Sequence, residues 1–364
     1  MRHRIGLLLV ALAAFVSVLG VMMKVWVYPR VVAVPDNQYQ VVVLQAKDAT
    51  LIDYATLTSV PHQTVTIIQT LKGDAAAAQA EKQRTGKSVV VWDTLSYILG
   101  NDGKRLSVIP EVYTFDAHTQ DPVHCCGESV DGNAVSRVGV EYKFPFNTQP
   151  HDYQYFDEQT RTSAPIHYKG TENVGGLTVY YFEQTIPWTQ VPFPKTMPAN
   201  VAITPAQIAA LGYQRWYTTV RKFWVDPVTG APVNGEEIHD EQLRFPASAH
   251  HAPVTIFQGD VKIRPDYQAA TLTLVKNERT LVLMLSTYLP WGLPLLGLVL
   301  LALAFVVEGR DRRRRASGGV GTGAGTGAGG GGGAGASSGV VADADEDRGP
   351  RDVPSAQGAP PAPL

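Results

Sequence analysis

The chain has 364 residues, is 45% hydrophobic and 18% charged, and carries a net charge of −2. That much apolar content supports a buried core and excludes a chain disordered throughout. The near-zero net charge excludes the global basic field of a nucleic-acid binder.

After the short segment 1–4, "MRHR", residues 5–23 carry no charge. The run exceeds the roughly 7–15 apolar residues of a signal peptide, and Met22-Met23-Lys24 makes a poor cleavage site. Trp26 and Tyr28 suit the membrane–water interface. The expectation is an uncleaved transmembrane helix over 5–27, with a cleaved signal peptide as the competing reading. Residues 28–265 then read as a β-rich domain. "QYQVVVLQ", "KSVVVWDTLSYIL", "LTVYYFEQTI" and "YQRWYTTVRKFWV" are β-branched or aromatic runs bounded by Gly, Pro, Asn or Asp. Leu177, Val179 and Tyr181 alternate onto one face. Two short helices interrupt the strands. One covers 74–84, with Asp74 as cap and Gly86 beyond its end. The other covers 204–212, with Thr204 as N-cap, Pro205 at the first position and Gly212 after the end.

A helical stalk is expected over 266–288, although Thr271 to Val275 alternate like a strand. A second span follows over 289–307, within the uncharged run 281–307. Pro290 and Pro294 sit near its outer end, where a kink is tolerable. Arg310 and Arg312 to Arg315 follow directly, and Arg2 and Arg4 precede the first span. Positive charge marks the cytoplasmic side. The expected location is therefore the plasma membrane, with both termini cytoplasmic and the main domain outside. Residues 308–364 are expected to form a disordered cytoplasmic tail, because Gly-rich, acidic and Pro-rich stretches bury no core. The fold class expected is mainly β: an extracytoplasmic antiparallel β-sandwich or barrel-like domain with few short helices, flanked by two transmembrane helices.

Three phrases read alike: "FDAHTQDPVH", "FDEQTRTSAPIH" and "WVDPVTGAPVN", headed by Asp116, Asp157 and Asp226. In the third, Asp226 accepts backbone N–H bonds two residues on, Thr229 follows, and Gly230 takes a positive φ. The second copy has two extra residues between Thr160 and Pro165, a slip that a catalytic motif would not tolerate and a loop would. The phrase predicts three structural turns.

The two cysteines are neighbours, Cys125 and Cys126. Outside the membrane thiols oxidise, so a local or intermolecular disulfide, or no role, is weighed against a metal or redox site with His118 and His124 nearby. No second cysteine pair at zinc spacing exists. "TGKS" at 85–88 lacks the earlier glycine of a phosphate loop. "EEIHDEQ" gathers Glu236, Glu237, His239, Asp240 and Glu241, and reads as a solvated charged loop before it reads as a cation site. His250-His251 has the same standing. No protease, hydrolase or dinucleotide motif is present, so no catalytic residue, metal or cofactor is expected. The aromatic stretches supply candidate ligand-binding residues instead: Phe144, Phe146, Tyr153 and Tyr155, then Trp188 and Phe193 in a Pro-rich segment that also holds Val191 and Met197. They either cap the core or line a mouth for a greasy ligand.

"FPFNTQPHDYQYFD", "YKGTENVGGLTVYYFEQTIP", "FWVDPVTGAPVN" and "YLPWGLPLLGLVLL" together resemble an actinobacterial envelope family of unknown-function domains labelled "porin PorA family". The resemblance covers about residues 24–307. Members related to it include a polar growth factor that looks like a partner of mycolate-glycolipid export and a protein needed for lipoglycan maturation. The resemblance implies a lipid- or glycolipid-handling accessory role in envelope assembly, with envelope-assembly membrane proteins as partners and no catalytic residues to carry over. A protein-interaction scaffold is the alternative, and an envelope-modifying enzyme ranks third. A membrane barrel, which needs many strands of roughly ten residues with an apolar outer band, is a different object from two helical spans and a soluble domain.

Overall fold

Strands dominate the region between the apolar runs. In the computed structural model, which describes residues 2–195, 201, 203–246 and 252–317, twelve strands form a single sheet. They are β1 (Tyr39–Asp53), β2 (Thr58–Gly73), β3 (Val89–Leu99), β4 (Arg105–Asp116), β5 (Ser129–Val130), β6 (Asn133–Ala134), β7 (Tyr153–Asp157), β8 (Thr162–Val174), β9 (Leu177–Val191), β10 (Gln214–Val225), β11 (Pro232–Arg244) and β12 (Val254–Ile263). The sheet order is β6-β5-β4-β3-β2-β1-β12-β11-β10-β9-β8-β7, antiparallel throughout. Hairpin neighbours account for nearly every pairing. The exception is β1 with β12, where Leu44 lies opposite Ile263. That one long-range pairing brings the start and finish of the domain together, so the flanking helices leave from the same end of the sheet. The expected sandwich or barrel-like fold is thus one strongly curled sheet whose edges, β6 and β7, are not hydrogen-bonded to each other.

The helices follow their caps. α1 (Arg2–Met22), a π-helical turn π1 (Met23–Val27) and α2 (Tyr28–Val31) run continuously. α3 (Ala75–Thr85) starts where the Asp74 carboxylate accepts the Ala77 N–H at 3.0 Å and stops at Gly86, φ 75°. The sequence "TGKS" is simply this helix end. α4 (Pro205–Ala210) has a reciprocal cap between Thr204 and Gln207. α5 (Pro265–Leu283), the π-helical turn π2 (Met284–Tyr288) and α6 (Leu289–Ser317) form the second continuous rod.

Two stretches are long and apolar enough to cross a membrane, Ile5–Val31 and Pro265–Arg310. The second is 46 residues, roughly 70 Å at the helical rise, over twice the hydrocarbon thickness. Its first part is therefore spent beside the sheet: Val275 is buried with Leu177, Val179 and Val233. The two rods pack through small residues. A side chain on Gly20 would strike Pro294, and one on Gly297 would strike Ser17 and the Ala13 carbonyl.

The repeated Asp phrases are turns, as their spacing predicts. Asp116 accepts the N–H groups of His118 and Thr119, Asp157 that of Thr160, and Asp226 that of Thr229. Four residues after each Asp the chain enters the left-handed region, at Gln120, Arg161 and Gly230. A fourth copy closes the β1–β2 hairpin: Asp53 accepts from Ala55 and Thr56, and Leu57 has φ 52°. Type I turns closed by a left-handed residue suit the twist of such hairpins. Asp226 does more than turn the chain. Its second carboxylate oxygen accepts from Arg279 of α5, and Gly230 lies so close under the Phe144 and Pro145 carbonyls that a side chain there would clash. Met197, His250, His251 and the tail from 318 onward lie outside the described residues.

Asp226→Ala removes the bonds to Thr229 and leaves Arg279 without its partner. Loss of a buried charge partner costs about 3 kcal/mol. Urea unfolding of the full chain is expected to show that loss, and Asp226→Asn, which keeps the Thr229 bonds, a smaller one.

Candidate functional site

Curling gives the sheet a concave face, and that face is only partly filled. A cavity of about 620 Å³ runs inside it, within the roughly 300–1,000 Å³ range of ligand pockets. Largely alternate residues of β1, β2, β3, β10, β11 and β12 line it. On one side these are apolar: Val42, Leu44, Ile67, Leu71, Ile98, Val261 and Ile263 from β1, β2, β3 and β12. On the other they are charged: Arg215 and Arg221 of β10, Glu237, His239 and Glu241 of β11, and Glu158 and Arg161 after β7. At the helix end the lining passes to Val31–Val34, Lys143, Phe146 and one face of α5.

The charged wall is a ladder of alternating signs. Glu237 stands opposite Arg221 in the β10–β11 register. Arg215 binds Glu241 with both sides of its fork, at 2.6 and 2.8 Å. His239 Nδ1 lies 2.8 Å from Glu237 Oε1, and Glu237 Oε2 accepts from Arg221 Nε at 3.0 Å. Arg221 continues to Asp157 at 3.1 Å, where the Tyr217 hydroxyl also donates at 3.1 Å. Burial disfavours a charged imidazole, but the two flanking glutamates outweigh it and hold the His239 pKa up at about 9. Burial likewise opposes ionisation of Glu241, yet Arg215 holds its pKa down at about 2. Glu158 is dominated by burial and sits near 8. Lys143 donates to the Phe144 and Thr229 carbonyls, and burial lowers its pKa to about 7.

Arg137 joins the two halves of the sheet. Its side chain is fully buried. It donates to Glu141 at 2.5 Å, to Glu111 of β4 at 2.9 Å and to the Val112 carbonyl at 3.0 Å. The guanidinium also lies over Tyr113 of β4 and Phe156 of β7, at 5.3 and 4.7 Å. Val140, three residues on, pairs with the edge of β7 through Gln154 and Phe156. Several buried polar atoms beside the cavity have no hydrogen-bond partner among the described residues: Trp92 Nε1, Glu141 Oε1 and Arg161 Nε. Buried polar atoms are usually paired, so these are free to meet a bound molecule or water.

The six aromatic candidates divide. Phe146, Tyr155 and Phe193 line the cavity. Phe144 is wholly buried against Phe182 and Tyr153, so these two belong to the core instead. Trp188 lies outside the cavity, stacked under Arg244 at 3.8 Å. The larger correction concerns "EEIHDEQ". It is no solvated loop: it is the middle of β11, and Glu237, His239 and Glu241 point inward. The spacing Glu-x-His-x-Glu carried the strand period of two, but charge obscured it. Cys125 and Cys126 are joined as a disulfide, close to Glu81 and away from the cavity.

A curled antiparallel sheet around a partly filled concave face, joined to two helices long and apolar enough to cross a membrane, defines a β-rich protein with candidate membrane spans. A model of the family described as Porin PorA matches residues 5–306, and the chain belongs to that family. A protein named Porin PorA from Corynebacterium resistens is 27% identical over an alignment covering 34% of this chain and 44% of that protein. A Porin PorA from Corynebacterium amycolatum is 21% identical over 85% of this chain and 100% of the relative. The chain thus spans less than half of the first relative and all of the second.

Two outcomes are expected. Arg137→Ala leaves Glu111 and Glu141 buried without a countercharge and should cost about 3–5 kcal/mol in chemical unfolding. The raised His239 and Glu158 pKa values give stability that is complete below their free values and is lost as pH rises through about 8 and about 9. Lys143, with its pKa lowered to about 7, contributes the opposite trend above that pH, so the check is a difference: the thermal-midpoint gap between the wild-type chain and His239→Gln should shrink as pH rises from about 6.5 to about 9.

Proposed function

We propose that this protein is a membrane-anchored, non-catalytic accessory protein of envelope assembly that binds a lipid or glycolipid inside the curled sheet. The observation that carries this reading is the unfilled lumen with one mostly apolar wall, broken by Gln40, Gln69 and Ser96. A sheet folded only for stability would fill its concave face, because unfilled core volume costs stability. The apolar wall suits an acyl chain. The unpaired donors and acceptors of Trp92, Glu141 and Arg161 suit a polar headgroup.

The relatives' printed name points to a channel. The outer face of the sheet argues against a barrel set in lipid. Asp260 and Lys262 pair across that face and are about half exposed, alternating with lumen-lining Val261 and Ile263. Lipid-facing positions of a membrane barrel are apolar.

The test is native mass spectrometry of the full chain released from an actinobacterial membrane in mild detergent, with extraction and identification of bound lipid. A stoichiometric lipid is expected. Phe193→Ala and Leu44→Glu should lower its occupancy, and Trp188→Ala should leave it unchanged. A clean apo mass across several mild preparations would reject lipid binding and favour the protein-interaction scaffold.

A further inference from the structure

The geometry points to a lateral mouth through which the lumen takes the acyl chain of a lipid directly from the adjacent bilayer leaflet. This inference rests on the lipid-binding reading above.

Three features carry it. Val31 at the end of α2 and Leu281 near the end of α5 line the cavity, yet they are 58% and 65% exposed. A residue that faces a cavity and also faces out stands at its opening. Leu274 shares that double character at 47% exposure. Second, these residues lie on the two rods that continue into the candidate membrane spans. The rods are tightly packed lower down, at Gly20–Pro294 and Gly297–Ser17. They are last pinned together where Lys24 Nζ donates to the Ser286 carbonyl at 3.1 Å. Both partners of that bond sit in π-helical turns, which redirect a helix and often mark functional positions. Beyond the pin, Val31 of one rod and Leu281, Val282 and Leu285 of the other all line the cavity. Third, the pin lies at the level of exposed aromatics: Trp26, with Arg30 stacked on it at 4.5 Å, Tyr288 and Trp291. Trp and Tyr settle at the membrane–water interface. By the helical rise, Leu285 stands roughly 5 Å, and Val31 and Leu281 roughly 8–10 Å, outward of Trp26 and Tyr288, so the fork opens on the outer side of the headgroup layer and its apolar residues lead from the interface up to the cavity.

Such a mouth avoids passing an acyl chain through water, which is unfavourable for every methylene exposed. Arg279 and Asp226 brace the fork by tying α5 to the β10–β11 turn.

The experiment uses the full chain in phosphatidylcholine vesicles. A phosphatidylglycerol carrying a diazirine in one acyl chain is added at time zero, and samples are illuminated at intervals. Cross-links on peptides from β1 and β2, which lie outside the bilayer, report lumen filling separately from bulk lipid contact on α6. Val31→Trp and Leu281→Trp narrow the mouth at exposed positions, and Leu281→Asp places a charge in it. Val299→Trp, on α6 and 50% exposed, is the control. Thermal midpoints confirm that each variant is folded. The mouth variants are expected to slow lumen labelling by about tenfold, equivalent to about 1.4 kcal/mol of barrier, with the same final extent and an unchanged control. Lumen labelling at the wild-type rate in all three mouth variants would overturn lateral entry while leaving lipid binding intact. No lumen labelling in the wild-type chain would overturn lipid binding itself, and lateral entry with it.

Discussion

A sheet of twelve described strands whose two edges do not pair has to be held curled by something other than its own ladder. Arg137 does this. One guanidinium reaches the third strand from one edge and the ring of Phe156 on the other edge strand. Its fork geometry allows bonds to Glu141, Glu111 and a backbone carbonyl at once, which a lysine ammonium would not reproduce. The backbone pairing of Val140 with β7 then seals the seam beside it. Without that joint the concave face would be an open trough, and the groups lining it would be solvated.

The charged wall follows from the same enclosure. Arg215, Glu241, His239, Glu237, Arg221 and Asp157 sit inside, so each needs an opposite neighbour, and the alternating ladder supplies one to all. Desolvating so many charges returns little net stability. What the ladder does provide is a fixed register for β10 and β11, because a slip of one residue would turn every charge outward. It also sets a charged wall of the lumen opposite a mostly apolar one.

The pairing of β1 with β12 links this lumen to the membrane. Because the first and last long strands are neighbours, both helical rods leave from one end and meet again at Lys24 and Ser286. Asp226 shows how economically the parts are joined: one carboxylate shapes a hairpin through Thr229 and anchors α5 through Arg279.

Local chemistry in the sequence determined the elements and their punctuation. Asp74 and Gly86 delimit α3, Thr204 and Gln207 cap α4, and the Asp phrases turn the hairpins, because each of these contacts spans only a few residues. The apolar runs and aromatic flanks likewise announced the two rods. The lumen was not legible, since nothing in the chain says whether a sheet's inner face is filled. Phe144, Phe146 and Tyr155 look equivalent in sequence, yet Phe144 lies wholly within a buried cluster, Tyr155 joins that cluster and also borders the cavity, and Phe146 lines the cavity. Glu237, His239 and Glu241 read as water-facing because burial of a charge is decided by its partners, and Arg215 and Arg221 lie 16 to 26 residues away along the chain. Only the tertiary structure brings those countercharges within reach, and only it could turn a charged run into the wall of a site.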